Sequence, residues 1–467
     1  EVQRQEMILK NRDVVKKLKQ AKVSGSDELV RFFNNQFVSK GNMFKFAKKV
    51  KHHLKSSPKM THLASRVWHK YKQIAQIDVQ TISQFDLSTV ISYEDKFDVV
   101  VQVDNFVAGG LENVVIDVNT EFEKAGLKCC LVVFGETGPA LDKAIQSGLR
   151  VVSMPFDEYV YEDFLRRTSP KVVMTHYSLM GLEICKQLDI YTIQVIHNMY
   201  MWFSYQEKVV FKSASQYTDC YISVSKIALD YAIKKLELPE EKCIVIPNGV
   251  DLNKFSTLTS EEEREALYQK LGLKKDDFIF LSVGSINHQK NSASLVRSFA
   301  KIAEKAPKAK LVMVGPVYEQ KVYQEVNEEI SKHNLKNRVI HVGHDSHIQK
   351  YYSIANVFVH SPFFEGAPLV ILEAIAAMLP IITIETLIPD DLRDESHILT
   401  VKPHIDLFKF NLRITELNSS PIIESEFSRL MLKFYEDYPG LKVNAALDGY
   451  DKSKMFKRYI DLVKNKL

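Results

Sequence analysis

Residues 356–385 read NVFVHSPFFEGAPLVILEAIAAMLPIITIE. A short apolar run rich in valine is followed by a turn marked by Gly366 and Pro368, then by a helix-length apolar stretch, then by a second β-branched run. That is one strand–helix–strand step. Its strands are continuously apolar rather than alternating, as expected of a parallel sheet covered by helices on both faces. Outward from this stretch the step repeats. Upstream lie FIFLSVG, KLVMVG and RVIHVG, each followed by a helix-length segment. Further upstream, FDVVVQV, CCLVVFG, RVVSMP, KVVMTH, YTIQVIH and CYISVS form a second such series starting at Phe97. The pattern pauses at CIVIPNGVDLNKF, residues 243–255, where Pro247 and Asn248-Gly249 predict a turn. The reading is therefore α/β: two doubly wound Rossmann-like domains in tandem, residues 96–250 and 251–449. The last segment, residues 450–467, places Met455, Tyr459, Ile460, Leu462 and Val463 near helical spacing and is expected to pack back as an amphipathic helix.

Two doubly wound domains that face each other bind a ligand between them, beyond the carboxyl ends of the strands. The unusual residues fall there. Glu365 and Glu373 stand in otherwise apolar sequence, where an unpartnered carboxylate costs several kcal/mol. Pro368 suits the first helical position, where its missing N–H costs nothing. The free N–H groups of Leu369 and Val370, with Gly366 and Ala367 just before, form an anion cradle at a helix N-terminus. Glu365 can then accept hydrogen bonds from sugar hydroxyls and Glu373 from a vicinal diol. On spacing alone Glu365 serves equally well as a cap and Glu373 as the partner of a core arginine. Lys290, in the loop after FIFLSVG, can meet a phosphate or stay solvated.

E-x7-E after a strand, in the form EGAPLVILEA, resembles the retaining glycosyltransferases of family 4, which have the GT-B fold. IPNGVDLNKF resembles the segment that enters the second domain in that family, VGSINHQKN its phosphate loop, and the final helix its crossover onto the first domain. AGGLENVV resembles its Gly-Gly-x-Glu loop, THYSLMG its His-containing strand end, and VIHN the strand end beside the donor sugar. The resemblance covers residues 97–467. It implies that Glu365 holds the transferred sugar, Glu373 the ribose, and Lys290 the diphosphate, with Gly109 and Gly110 approaching from the other domain. It puts His197 near the sugar ring, His176 on the acceptor side, and Arg338 and His344 beside the nucleobase. Where the family often has Arg after the loop glycine, this chain has Ser285, which leaves Lys290 or a substitute such as Arg297 to neutralise the leaving group. The implied reaction is hexosyl transfer with retention, from a UDP- or GDP-linked sugar to a glycan or lipid-linked glycan of the cell surface. The chain has no D-x-D, so no metal is expected at the phosphates and no cofactor beyond the donor itself.

Two other readings stay open: a sugar-nucleotide epimerase of the same fold, and a non-catalytic binding protein on a transferase fold. An NAD oxidoreductase is disfavoured, because no strand is followed by G-x-G-x-x-G.

Composition bounds the rest. With 467 residues, 45% hydrophobic and 26% charged, the chain is of ordinary globular type and too long for one core. The most apolar stretch, residues 369–384, is broken by Glu373 and Pro380, so no membrane span is expected. Five cysteines without C-x-x-C spacing read as reduced core residues of a cytoplasmic protein. Residues 1–80 carry eighteen Lys and Arg against six Asp and Glu, a net of +12, while the remainder nets −8. Residues 1–95 therefore read as a basic, mainly helical extension. Its lysines, with Phe32, Phe33, Phe44, Phe46 and Trp68, suit peripheral attachment to the anionic inner face of a cell membrane. No nucleic-acid module accompanies the charge. The first residues are Glu-Val-Gln rather than Met, as in a trimmed chain or a piece of a longer polypeptide.

Overall fold

The computed structural model describes residues 95–107, 109–256, 259–393, 397–403, 405–409, 417–437 and 447–467. The expectations for residues 1–94, membrane attachment included, lie outside the described residues. The first sheet contains β1 (Val99–Val103), β2 (Cys129–Val133), β3 (Val151–Ser153), β4 (Val172–His176), β5 (Tyr191–Ile196), β6 (Cys220–Ser223) and β7 (Cys243–Val245). Its order is β3-β2-β1-β4-β5-β6-β7, parallel throughout. The second contains β8 (Phe278–Val283), β9 (Ala309–Val314), β10 (Val339–Gly343), β11 (Val357–His360), β12 (Ile381–Ile384) and β13 (Ile398–Val401). Its order is β10-β9-β8-β11-β12-β13, again parallel. Every residue of β1, β2, β4, β11 and β12 is buried, which is why their sequences show no alternation. In each sheet the strand order reverses at the neighbours β1/β4 and β8/β11, so the crevices open beyond the ends of those strands.

Two strands escaped the sequence reading. The supposed pause at residues 243–255 contains β7, and a further strand, β13, follows PIITIE. Both lie at sheet edges, are only three and four residues long, and are only partly buried.

Six helices position the site and its surroundings: α1 (Gly110–Lys124), α2 (Tyr205–Ala214), α3 (Ser292–Ala300), α4 (Leu369–Ala376), α5 (Pro421–Asp437) and α6 (Lys452–Lys464). Helix α5 buries Ile423, Phe427, Leu430, Met431 and Phe434 against the second sheet. Helix α6 then returns to the first domain. Asp451 caps it by accepting from the Ser453 N–H at 2.8 Å, and Met455, Phe456, Tyr459 and Val463 enter the core that holds Val99, Val101 and Phe122. Burying each such side chain contributes about 1.5–3 kcal/mol, enough to hold the crossover.

The two connections between the domains touch each other. Val250 N–H donates to the Tyr450 carbonyl at 2.8 Å and Lys452 N–H to the Val250 carbonyl at 3.1 Å. Gly249 lies against the Lys452 backbone so closely that a Cβ there would collide with it. Gly249→Val is therefore expected to destabilise the fold by about 1–3 kcal/mol through overpacking. A thermal midpoint equal to that of the parent protein would show that the two connections do not meet in solution.

Among the described residues no helix is long and apolar enough to cross a membrane. All five cysteines are unpaired, and four are fully buried.

Candidate active site

The loops after β8 and β11 are laced together. Phe363 N–H donates to the Gln289 carbonyl at 2.9 Å, Gln289 Nε2 to the Phe364 carbonyl at 3.0 Å, and Asn291 Nδ2 to the Ser361 carbonyl at 3.3 Å. Asn291 takes a left-handed conformation as it caps α3, and the Lys290 stem folds over Gly284. This brings the Lys290 ammonium to Glu365 Oε1 at 2.5 Å. His360, the last residue of β11, reaches the same oxygen through Nε2, also at 2.5 Å. Glu365 is only 9% exposed. Burial pushes its carboxyl up, but Lys290 and His360 together overcome that and hold it down at about 2. Burial pushes the His360 imidazole below its ordinary value, more strongly than Glu365 raises it. A neutral His360 facing an ionised Glu365 must carry its proton on Nε2 and donate it. Lys290 was expected at a phosphate and Glu365 at a sugar; the fold makes them partners. His360 was not singled out from the sequence. Its signal was a histidine closing an apolar strand five residues before the acid.

Glu365 leads directly to the other domain. Gly366 rests on the backbone of His197 and Asn198, where any Cβ would collide with the His197 carbonyl. Ser225 Oγ donates to the Gly366 carbonyl, and Asn248 Nδ2 to that of Ala367 at 3.3 Å. Ala367 and Leu369 pack on the first-domain core. The turn is thus seated against the ends of β5 and β6 by backbone contact that only glycine at 366 permits.

His197 follows β5 and His176 ends β4. His176 Nδ1 and His197 Nε2 lie 2.7 Å apart with the rings stacked. Burial pushes His176 down to about 3 and His197 well below its usual value, so both rings are neutral. His176 Nε2 is buried without a partner, so its single proton is best placed on Nδ1, donated to His197. His176, expected toward the acceptor side, is fully buried, with its ring against that of His197.

Helix α4 begins one residue later than expected. Pro368 is its cap, in an extended conformation, and not its first helical residue. A proline cap offers no side-chain acceptor, so the first-turn N–H groups of Leu369 and Val370 carry no side-chain cap. One turn further, Glu373 accepts from the Tyr352 hydroxyl at 2.8 Å and has no arginine partner among the described residues. Burial raises its carboxyl to about 7, against the opposing pull of Tyr352 and Lys254.

The remaining predicted residues divide. Gly109 caps α1, and a Cβ there would lie 4.0 Å from the Tyr318 hydroxyl of the second domain; Gly110 beside it is exposed. Tyr318 and Glu112 face each other across this gap, each raised in pKa chiefly by burial. Glu112 is the acid of the AGGLENVV loop; Tyr318 was not anticipated. Ser285 accepts from Asn287 Nδ2 at 3.1 Å in the loop before α3. His344 is exposed just beyond β10, on the crevice side. Arg338 is not. It precedes β10 at the opposite edge of the sheet, where its guanidinium donates to the carbonyls of Ala303, Ala306 and Ala309 at 3.2, 2.6 and 2.7 Å. Arg297 cannot substitute in the phosphate loop either. It is committed to Glu424 at 2.6 Å and Glu329 at 3.5 Å on neighbouring helices.

Comparison with known proteins agrees with this fold. Residues 263–427 match the profile of Glycosyl transferases group 1, and residues 108–254 that of Glycosyltransferase Family 4. An uncharacterized glycosyltransferase of Methanocaldococcus jannaschii is 28% identical over 309 residues, 58% of this chain and 73% of that protein. The alpha-monoglucosyldiacylglycerol synthase of Acholeplasma laidlawii is 26% identical over 229 residues, 45% of this chain and 57% of that protein. The match therefore spans little more than half of the second relative. The crystal structure of Anabaena HepE with UDP and glucose superposes with a TM-score of 0.67 at 16% identity, over 79% of this chain and 99% of that one.

Proposed function

The chain belongs to the family 4 glycosyltransferases of GT-B fold, and from that premise we propose that it is a retaining hexosyltransferase. In this reading a nucleotide-diphosphate sugar, UDP- or GDP-linked, donates the hexosyl group. The acceptor is a glycan or lipid-linked glycan in cell-surface polysaccharide biosynthesis. The observation that carries the proposal is the Lys290–Glu365–His360 group at the carboxyl edge of the second sheet, one glycine away from His197. The name of the Acholeplasma relative, with its glucosyl and diacylglycerol parts, supports a lipid-linked acceptor.

The proposed chemistry is a front-side displacement. The bond from the anomeric carbon to the phosphate oxygen breaks, and its electron pair leaves with the diphosphate. The acceptor oxygen bonds to the same face of that carbon and gives its proton to the departing phosphate oxygen. Negative charge grows on the diphosphate, and a preorganised cation aimed there is worth about 2.7–4 kcal/mol. Lys290 fills that role once the diphosphate competes with Glu365 for it. Glu365, held ionised, then accepts hydroxyls of the sugar. His197 lines the ring, oriented from behind by His176. Lys290 supplies the positive charge, so we propose that no metal acts at the phosphates, and transfer should proceed unchanged in excess chelator. A rate abolished by chelator and restored by a divalent cation would overturn that part.

Glu373 makes the proposal testable by pH. Its folded pKa of about 7 lies above the ordinary carboxyl value of 4.5. Its contribution to stability is therefore full below pH 4.5 and lost as pH rises through about 7. A ribose diol can donate to both carboxyl oxygens only in the ionised form, because the protonated acid turns one of them into a donor. Binding of the bare nucleotide diphosphate should therefore expel a proton near pH 6 and tighten toward pH 8, and Glu373→Gln should remove that effect. A terminal phosphate also titrates near about pH 6, so the difference between parent and Glu373→Gln isolates the carboxyl. Calorimetry in two buffers of different ionisation heat reads it, and identical proton counts would remove Glu373 from the nucleotide site.

A thermal-shift screen of UDP-, GDP-, ADP- and dTDP-sugars tests the function itself. A donor at a hundred times its Kd stabilises the fold by about 2.7 kcal/mol. One base is expected to raise the midpoint; silence from all four overturns the reading. The anomeric configuration of the product, read by NMR, decides retention. We further propose that residues 1–80, with their net of +12, add peripheral attachment to an anionic membrane face.

A further inference from the structure

Tyr351 and Tyr352 close the short helix Gln349–Tyr352 before β11, and each turns its hydroxyl to a carboxyl. Tyr351 donates to Asp345 at 2.7 Å, where the Lys350 ammonium also lies at 2.7 Å and the His347 N–H donates at 2.8 Å. Burial opposes ionisation of Asp345, yet these partners together hold its carboxyl well below the usual carboxylate range. Glu373 is served more sparingly. Among the described residues the Tyr352 hydroxyl, 2.8 Å from Oε2, is the hydrogen-bond donor that reaches it. An ionised carboxylate offers about four acceptor positions, so a single donor leaves most of them open. Burial therefore prevails and carries Glu373 up to about 7, against Tyr352 and Lys254.

The Tyr352 hydroxyl is held in place by its ring. Phe358 of β11 stacks on that ring at 5.6 Å, Phe255 meets it edge-on at 5.4 Å, and the residue is only 2% exposed. Apart from Glu373, the hydroxyl has the Val370 carbonyl at 3.4 Å, about one turn back on α4. Burial, with Glu373 facing it, pushes the Tyr352 phenol well above its usual value, so it stays a donor throughout the neutral range. The elements packed against α4 add little other charge. Lys254, on the helix Leu252–Ser256, draws the Glu373 carboxyl down. Lys350 is committed to Asp345, and β12 carries no ionisable side chain.

We propose that Tyr352 is a positioning residue of the nucleotide site: its clamped hydroxyl anchors Glu373 at Oε2 and keeps the carboxylate charged, with the open acceptor positions left to a ribose diol. The ribose contact rests on the donor site proposed above; the hold of Tyr352 on Glu373 does not. Tyr352 takes one acceptor position and the two ribose hydroxyls take others, so the charge is satisfied by three donors once water is excluded. In the empty site the single bond from Tyr352 leaves the carboxyl poised near neutrality, ready to lose its proton when the diol arrives.

Tyr352→Phe keeps the ring between Phe255 and Phe358 and deletes only the donor, so the fold should stand. In protein labelled with carbon-13 at its glutamate carboxyls, the NMR signal lost in Glu373→Gln identifies Glu373. Its titration midpoint should rise by about one to two pH units in Tyr352→Phe, the worth of one hydrogen bond to a charged group. A carboxyl raised further above its ordinary 4.5 is less ionised at pH 7. Binding of UDP or GDP should therefore weaken by about five- to fiftyfold at pH 7 and return to within about threefold of the parent at pH 9. A midpoint that stays put would overturn the proposal whatever the nucleotide does. So would an equal loss of affinity at both pH values, the signature of a packing role. The same pH dependence in the parent, Tyr352→Phe and Glu373→Gln would remove Glu373 from the nucleotide site, and with it the use assigned to Tyr352. Altered dependence in Glu373→Gln alone, with Tyr352→Phe like the parent, would overturn the proposal and leave the ribose contact standing.

Discussion

Lys290→Ala is expected to lower the turnover of sugar transfer by about two orders of magnitude or more, the usual cost of removing a group aimed at developing charge. The loop that carries Lys290 offers no arginine in compensation, because Ser285 occupies the position after Gly284 and Arg297 is bound to Glu424 and Glu329. The substitution also removes one of the two partners of a buried carboxylate. In the parent protein the Glu365 pKa of about 2 lies below the ordinary 4.5, so its pairing contributes stability above pH 4.5 and loses it as pH falls through about 2. Without Lys290 burial gains ground, the carboxyl rises, and part of that contribution is missing at neutral pH. His360 remains to donate to it, so the fold is expected to survive with a lowered thermal midpoint. Initial rates at saturating donor, alongside circular dichroism, separate the two effects. Near-parental turnover would remove Lys290 from the phosphate site.

Glu365→Gln should depress transfer about a hundredfold, an effect like that of losing one transition-state contact, while leaving binding of the bare nucleotide diphosphate unchanged or tighter. The direction follows from the pairing. In the unliganded protein the Glu365 carboxylate competes for Lys290 at 2.5 Å, and an amide competes less. Lys290, whose side chain is only 20% exposed, then lacks its counter-charge until a diphosphate arrives. The nucleotide should therefore raise the thermal midpoint of Glu365→Gln by more than it raises that of the parent protein. Loss of nucleotide binding with transfer preserved would mean that Glu365 and Glu373 have exchanged roles.

Much of the site was legible because family motifs lie at strand ends, and strand ends are local features. Gly366 could be placed in a turn from its neighbours alone. That it must be glycine because His197 and Asn198 press against it belongs to a different domain and could not be read. Arg338 shows the converse. It stands immediately before the RVIHVG run, and a motif-based reading drew it toward the nucleobase. A parallel strand has a functional end and a structural end, and Arg338 lies at the structural one, satisfying three carbonyls.

The sequence by itself determined the two parallel sheets, their succession, the returning helix α6 and the positions of Glu365, Glu373 and Lys290. Apolar runs, turn residues and caps act over a few residues, so their chemistry is written in adjacent letters. Only the tertiary structure decided the partners: Lys290 with Glu365 across seventy-five positions, His176 beneath His197, Tyr352 with Glu373, Arg297 with Glu424. It also decided that α2 keeps its apolar face in water. A charge or a ring has no preferred sequence distance to its partner. The pairing is set by which strand ends the fold brings together and by the cost of leaving a buried polar group alone.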